Sequence, residues 1–200
     1  MVMALAQQQA IEQFIAGHTG AYRVVILSAE LLTGGAIQEN WLLKVRLEGS
    51  QFGDMLDCVL RCDAPSGVAV SHSRAQEFAL LKAAFAAGVT VPEPLWLGDQ
   101  SVFGRDFFIM RKANGTAAGH RVVKENALGG DKEKLTERMG EEMAKLHSIK
   151  PPRTMLSFLK PPAASPALQG VQEARDFLDH HHTAFPALER SEERRVGKEC

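Results

Sequence analysis

With 200 residues, 45% of them hydrophobic and 24% charged, the chain has the make-up of an ordinary globular protein, and at this length about 70% of the extended surface can be buried in a core. A formal net charge of −1 argues against a general binder of nucleic acid or of a membrane surface, which would carry a basic excess. No apolar run is long enough to span a bilayer, and residues 1–20 lack the cationic start of a secretory signal.

In chain order, residues 5–15 read as an amphipathic helix with Ile11, Phe14 and Ile15 on one side, ended by His18-Thr19-Gly20. Residues 22–32 are rich in Val, Ile and Leu and read as a strand. Thr33-Gly34-Gly35 makes a turn, and 36–47 returns as a second strand with Trp41, Leu43, Val45 and Leu47 on one face. The third strand is 55–62: Leu56, Cys58, Leu60 and Cys62 fall on one face, and Asp57, Val59 and Arg61 on the other. A polar, Pro-containing break over 63–70 leads to a helix over 73–87. Ser73 caps it, Gln76 completes a capping box, and Gly88 stops it. Phe78, Leu81 and Phe85 are expected to face inward, with Glu77 beside them.

Further on, 91–94 is held extended by its prolines, 95–97 is a short strand, 99–101 turns, and 107–110 is a fifth strand. The short connections favour antiparallel pairing. Residues 111–130 are polar and Gly-rich and read as a connection. Residues 131–149 are the clearest helix, with Leu135, Met139, Met143, Leu146 and Ile149 at helical spacing, stopped by Lys150-Pro151-Pro152. Residues 153–167 read as loop or short extended pieces, and 170–188 as another helix that ends near Pro186.

The charge pattern singles out Arg61 and Glu77. A strand that ends in a cation, followed by a helix with an inward-leaning carboxylate, can hold that cation in a cleft to meet a phosphate. The plainer alternative is an exposed pair contributing under ~1 kcal/mol. Cys58, Cys62 and Cys200 make no disulfide framework; the first two lie too far apart along one strand face to bridge, and they read as buried thiols of a reducing cytoplasm. His147 lies at a helix end and invites an acid–base reading. The run His180-His181-His182 is read as a solvated helix end, because adjacent helical residues diverge and cannot converge on one metal ion.

The order of elements, with Leu32-Thr33-Gly34-Gly35, Val59-Leu60-Arg61, Glu77 and Leu146-His147, resembles the protein-kinase-like small-molecule phosphotransferases of the aminoglycoside and choline kinase family. It looks closest to the branch related to the kinase-like domain of some acyl-CoA dehydrogenases. The resemblance implies an α+β fold: a kinase-like N-lobe with a five-stranded antiparallel sheet and one main helix, then the first helices of a helical C-lobe. It divides the chain into an N-terminal helix (1–20), the N-lobe (21–112), a linker (113–130), a partial C-lobe (131–189) and a charged end segment (190–200). The last resembles the translation of a sequencing adapter and is expected to be non-native.

By the same resemblance, Gly34 and Gly35 would cover the phosphates of ATP with their backbone N–H groups; a plain hairpin turn is the alternative. Arg61 would stand where the wider kinase pattern has lysine, held by Glu77. Val59 would pack on the adenine, and Met110 would wall its pocket or serve the core alone. The backbone of 108–112 would meet the adenine edge, while Arg111 departs from the acidic residue common in relatives and receives no role. The acid–base reading of His147 is set aside, because the family uses such a Leu-His dipeptide for packing. The partners implied are a nucleotide and a small molecule with a hydroxyl group. The catalytic loop such enzymes need, a His-Gly-Asp with a following Asn and a second Asp for magnesium, does not occur in the sequence and is expected beyond it. The expected activity is therefore that of the N-terminal part of an ATP-dependent phosphotransferase, itself inactive. A non-catalytic nucleotide-binding module and a structural α+β domain are the alternatives. Oligomeric state is not legible.

Overall fold

A computed structural model describes residues 3–32, 38–63, 72–115, 119–125, 130–150, 153–159 and 165–181. Gly34, Gly35, Pro186, Cys200 and the segment 190–200 lie outside the described residues. The strands are β1 (Arg23–Leu31), β2 (Gln38–Glu48), β3 (Met55–Asp63), β4 (Pro94–Gly98) and β5 (Phe107–Arg111), in one antiparallel sheet ordered β1-β2-β3-β5-β4. The helices are α1 (Leu5–Thr19), α2 (Arg74–Ala86), α3 (Gln100–Phe103), α4 (Gly119–Lys124), α5 (Lys132–His147) and α6 (Pro166–His181), with a 3-10 turn at Thr154–Leu156. The α+β class and the five antiparallel strands are as expected from the sequence.

Period-two alternation gives the sheet two unlike faces. Trp41, Leu43, Val45 and Leu47 of β2 point to the same side as Leu56, Cys58, Leu60 and Cys62 of β3, and α1 closes that side with Ile11 and Ile15. Trp96, Phe107 and Ile109 complete this core. Phe107 meets Phe14 at a ring separation of 5.0 Å and Phe103 at 4.9 Å, so α1, α3 and the sheet share one aromatic cluster. α1 runs past the expected end to Thr19, where Gly20 at φ 69° gives the left-handed turn its stop needs. Glu12 reaches from α1 to the irregularity in β1 between Ile26 and Ser28: its Oε1 accepts the Ile26 N–H at 2.7 Å. A donor left unpaired beside the bulge is thereby satisfied.

α2 lies on the other face, against β4 and β5. Its capping box forms as expected, with Ser73 Oγ accepting the Gln76 N–H at 3.2 Å. At its end the Val89 N–H donates to the Ala84 carbonyl and the Gly88 N–H to the Phe85 carbonyl, the paired bonds of a Schellman stop. Here one expectation is corrected. Phe78 is buried and Leu81 partly so, but Phe85 is 44% exposed. The Schellman turn brings Val89 back into the core beside Ala83 and Ala84, and these smaller residues take the buried places of the last turn.

Three connections also differ from the sequence reading. The turn at 99–101 opens a short helix, α3, because Asp99 Oδ1 accepts the Ser101 N–H. α4 lies within the stretch read as a connection, and the 3-10 turn within 153–167. α6 begins at Pro166 rather than 170; proline at a first helical position loses no hydrogen bond. The chain divides into two compact units, Met1–Ser157 and Phe158–Cys200, and α6 belongs to the second.

Within the first unit, α5 is tied to the segment after α2. Glu142 accepts the Thr90 N–H at 2.7 Å and the Thr90 hydroxyl at 2.8 Å, and Lys145 Nζ donates to it at 2.9 Å. The hydrogen bonds from Lys145 and Thr90 push the Glu142 carboxyl down to about 2. In the apolar stripe of α5 and its continuation, Leu135 and Ile149 are half-buried, whereas Met139, Met143 and Leu146 are exposed.

Two outcomes follow. A Cβ on Gly98 would stand 2.1 Å from Phe107 Cζ, and the aromatic cluster leaves that ring nowhere to go. Gly98→Ala is therefore expected to cost about 1–3 kcal/mol in urea unfolding. Because the folded pKa of Glu142 is depressed, its contribution is full above the unfolded value of about 4.3 and is lost as pH falls toward about 2. The melting-temperature gap between wild type and Glu142→Gln should be widest above pH ~5 and close at the acid end.

Candidate functional site

The face opposite α1 carries two rows of side chains set by strand register. Leu42, Val59 and Met110 are cross-strand neighbours on β2, β3 and β5, and form an apolar row. Asn40, Arg61 and Phe108 form the next row, two residues, or about 6.6–6.8 Å, along the strands. Val59 and Phe108 are buried; Leu42, Asn40, Arg61 and Met110 are half-buried. Phe78 of α2 meets Phe108 at a ring separation of 5.6 Å and holds the helix against this face. A flat apolar strip thus lies beside a cation.

Arg61 and Glu77 meet as the charge pattern suggested. Arg61 Nε donates to Glu77 Oε2 at 3.1 Å, and Arg61 Nη2 stands 2.8 Å from Glu77 Oε1. This two-point contact fixes the plane of the guanidinium as well as its position. The side chains are 23% and 29% exposed, so the pair is neither buried away nor a loose surface contact. The remaining donors go to side-chain amides of β2: Nη1 to Asn40 Oδ1 at 3.0 Å, and Nη2 to Gln38 Oε1. The carboxylate anchors one edge of Arg61, and neutral acceptors occupy the other.

The sequence reading missed Arg74. Its side chain is 1% exposed, and it is the largest fully buried side chain among the described residues. Arg74 Nη1 donates to Glu77 Oε2, and Nη2 to the His72 carbonyl at 2.9 Å. Its Nε lies 2.9 Å from Asp63 Oδ1, close enough for charge pairing but out of line for a hydrogen bond. A usable signal was present: Arg74, Phe78 and Leu81 share one helical stripe, and a cation three residues before Glu77 lies on the same side.

The other singled-out residues separate cleanly. Arg111 pairs with Glu93, Nε to Oε2 at 2.6 Å, away from the two rows. In the stretch 108–112, the Arg111 N–H donates to the Glu93 carbonyl and the Lys112 N–H to the Asp57 carbonyl. Cys58 and Cys62 are free and buried on the α1 side; burial pushes their thiols up to about 12 and about 11, which keeps them protonated and inert. His147 sits exposed in the last turn of α5. Among the described residues, no three His, Cys, Asp or Glu side chains stand together as a metal-holding group, and no helix is long and apolar enough to cross a membrane.

Sharing Glu77 makes the cluster lopsided. Glu77→Gln strands two guanidiniums, one fully buried, and is expected to cost about 2–3 kcal/mol; Glu77 is partly exposed, which holds the cost below that of a fully buried pair. Arg61→Met leaves Glu77 still bound by Arg74 and is expected to cost about 1 kcal/mol or less. Urea midpoints of the two variants check the order.

The sequence model of the phosphotransferase enzyme family matches residues 28–197, a stretch that takes in the whole sheet except the first strand's start, α2 and the helices that follow. No curated protein and no solved structure gives a significant match. A match over most of the chain, on a five-stranded antiparallel sheet whose third strand presents a helix-anchored cation, places this chain in the phosphotransferase enzyme family, among the aminoglycoside and choline kinase-like proteins.

Proposed function

We propose that this chain is the nucleotide-binding part of an ATP-dependent phosphotransferase whose acceptor is a hydroxyl group on a small molecule. The observation that carries the reading is Arg61, anchored by Glu77 at two points and set beside the apolar row Leu42–Val59–Met110. ATP supplies the γ-phosphoryl group and leaves as ADP.

The residues present suit such a ligand. Val59 and Met110 offer an apolar surface to a flat base. Because the N–H groups of Arg111 and Lys112 are bonded within the fold, contacts to the base edge fall to the carbonyl groups of this stretch or to the backbone after it. Arg61 can exchange the neutral amide oxygens of Asn40 and Gln38 for phosphate oxygens, since charge-assisted hydrogen bonds are roughly twice as strong as neutral ones. Glu77 keeps its hold on Nε throughout, so the guanidinium stays aimed. Gly34 and Gly35 are proposed to cover the phosphates. Such an arrangement works by positioning and by electrostatic stabilisation of the transferring group. Magnesium is expected with ATP in this family, and among the described residues no group of three His, Cys, Asp or Glu side chains could hold it.

The 200 residues contain no His-Gly-Asp run, so binding without turnover is expected of this chain. The second reading is a nucleotide-binding module that transfers nothing. A calorimetric titration tests the common core of both: ATP should bind the wild type and bind Arg61→Ala about tenfold to a hundredfold more weakly. Equal affinities, or no binding, would leave a plain structural domain. Turnover of radiolabelled ATP by this chain would overturn the expectation of inactivity.

A further inference from the structure

The Arg61–Glu77 pair does not stand alone, and the third member of the cluster is the least expected residue in the lobe. A fully buried guanidinium is costly unless paired at every turn, so Arg74 calls for an account. It lies in the first turn of α2 and reaches Glu77 on its own helix and Asp63 at the end of β3, two residues past Arg61. It also holds the His72 carbonyl just before the helix. One buried side chain thus fastens the start of α2 to the end of the strand that carries Arg61.

The charge balance points the same way. Glu77 Oε2 receives both Arg61 Nε and Arg74 Nη1, so one negative charge is shared between two positive ones. The other carboxylate near Arg74, Asp63, is 52% exposed and therefore screened by water. With Arg74 absent, Glu77 would neutralise Arg61 alone. With it present, part of the Arg61 charge is left for a ligand.

We propose that Arg74 is a positioning residue that sets both the aim and the free charge of Arg61, and so selects for the phosphates of a nucleotide over the nucleoside. The inference rests on the nucleotide-binding reading above. It makes Arg74 matter to phosphate affinity although it is too deeply buried to touch the ligand.

The test compares the full chain with Arg74→Met, Arg74→Lys, Arg61→Met and the Arg61→Met/Arg74→Met double variant, titrated with ATP and separately with adenosine. Arg74→Met should weaken ATP binding about threefold to thirtyfold, leave adenosine within about twofold, and flatten the salt dependence of ATP binding. In the Arg61→Met background, the same substitution should change ATP affinity little, because the residue acts through Arg61. Should Arg74→Met fail to fold, Arg74→Lys carries the comparison: it keeps the charge but lacks the fork that reaches Glu77, the His72 carbonyl and Asp63 together, and should still lose at least about threefold for ATP alone. Unchanged ATP affinity, equal losses for ATP and adenosine, or additive effects in the double variant would each overturn the inference while leaving the nucleotide reading intact. If the wild type binds ATP no better than Arg61→Met does, the nucleotide reading falls first and takes this inference with it.

Discussion

The two-point contact between Arg61 and Glu77 is the constraint on which the functional face depends. It joins the third strand to the helix that follows it, and it exists only if strand register and helix phase agree. A slip of one residue in β3 would turn Arg61 to the α1 side and bring a cysteine or leucine to the cleft. A rotation of α2 would withdraw Glu77. The stiff aromatic contact of Phe78 with Phe108 and the buried Arg74 at the helix start hold that rotation in place, so a polar contact is positioned by an apolar one and a buried cation.

The sheet makes this possible by dividing its labour between faces. α1 takes the side with Leu43, Val45, Leu56, Leu60 and Ile109, where burial of apolar surface supplies most of the stabilisation. That leaves the opposite side free to carry half-buried polar groups. α1 does more than cover: Glu12 satisfies the Ile26 N–H at the β1 irregularity, which steadies the strand next to β2, and β2 in turn brings Gln38 and Asn40 to Arg61. The apolar core on one face and the charged cluster on the other are connected through the backbone of a single sheet.

The chain belongs to the phosphotransferase enzyme family, and phosphoryl transfer asks a protein mainly to hold charged groups in line. Within the first unit, α5 is tied to the segment after α2 by hydrogen bonds from the Thr90 N–H and hydroxyl to Glu142. Met139, Met143 and Leu146 of α5 are exposed among the described residues.

Much of this was legible in the residues. Alternation in β2 and β3 assigned each side chain to a face, and Ser73 with Gln76 and Gly88 marked both ends of α2, because period and capping are local properties carried by neighbours in sequence. The same local rules placed Arg61 and Glu77 on elements that could meet. They could not say how a guanidinium's five donors would be shared, because that depends on which strand lies alongside and how far a helix is turned. Arg74 was passed over for this reason: an arginine in a first helical turn looks solvated until the fold buries it between Asp63 and Glu77. Phe85 shows the opposite case, since its spacing is that of a core residue but the chain turns at Gly88 and buries Val89 instead. The amino-acid order by itself determined the elements, their faces and the charge-bearing pair; the tertiary structure alone decided which charges are shared and which are left over, because electrostatic partners are chosen by distance and burial in space, not along the chain.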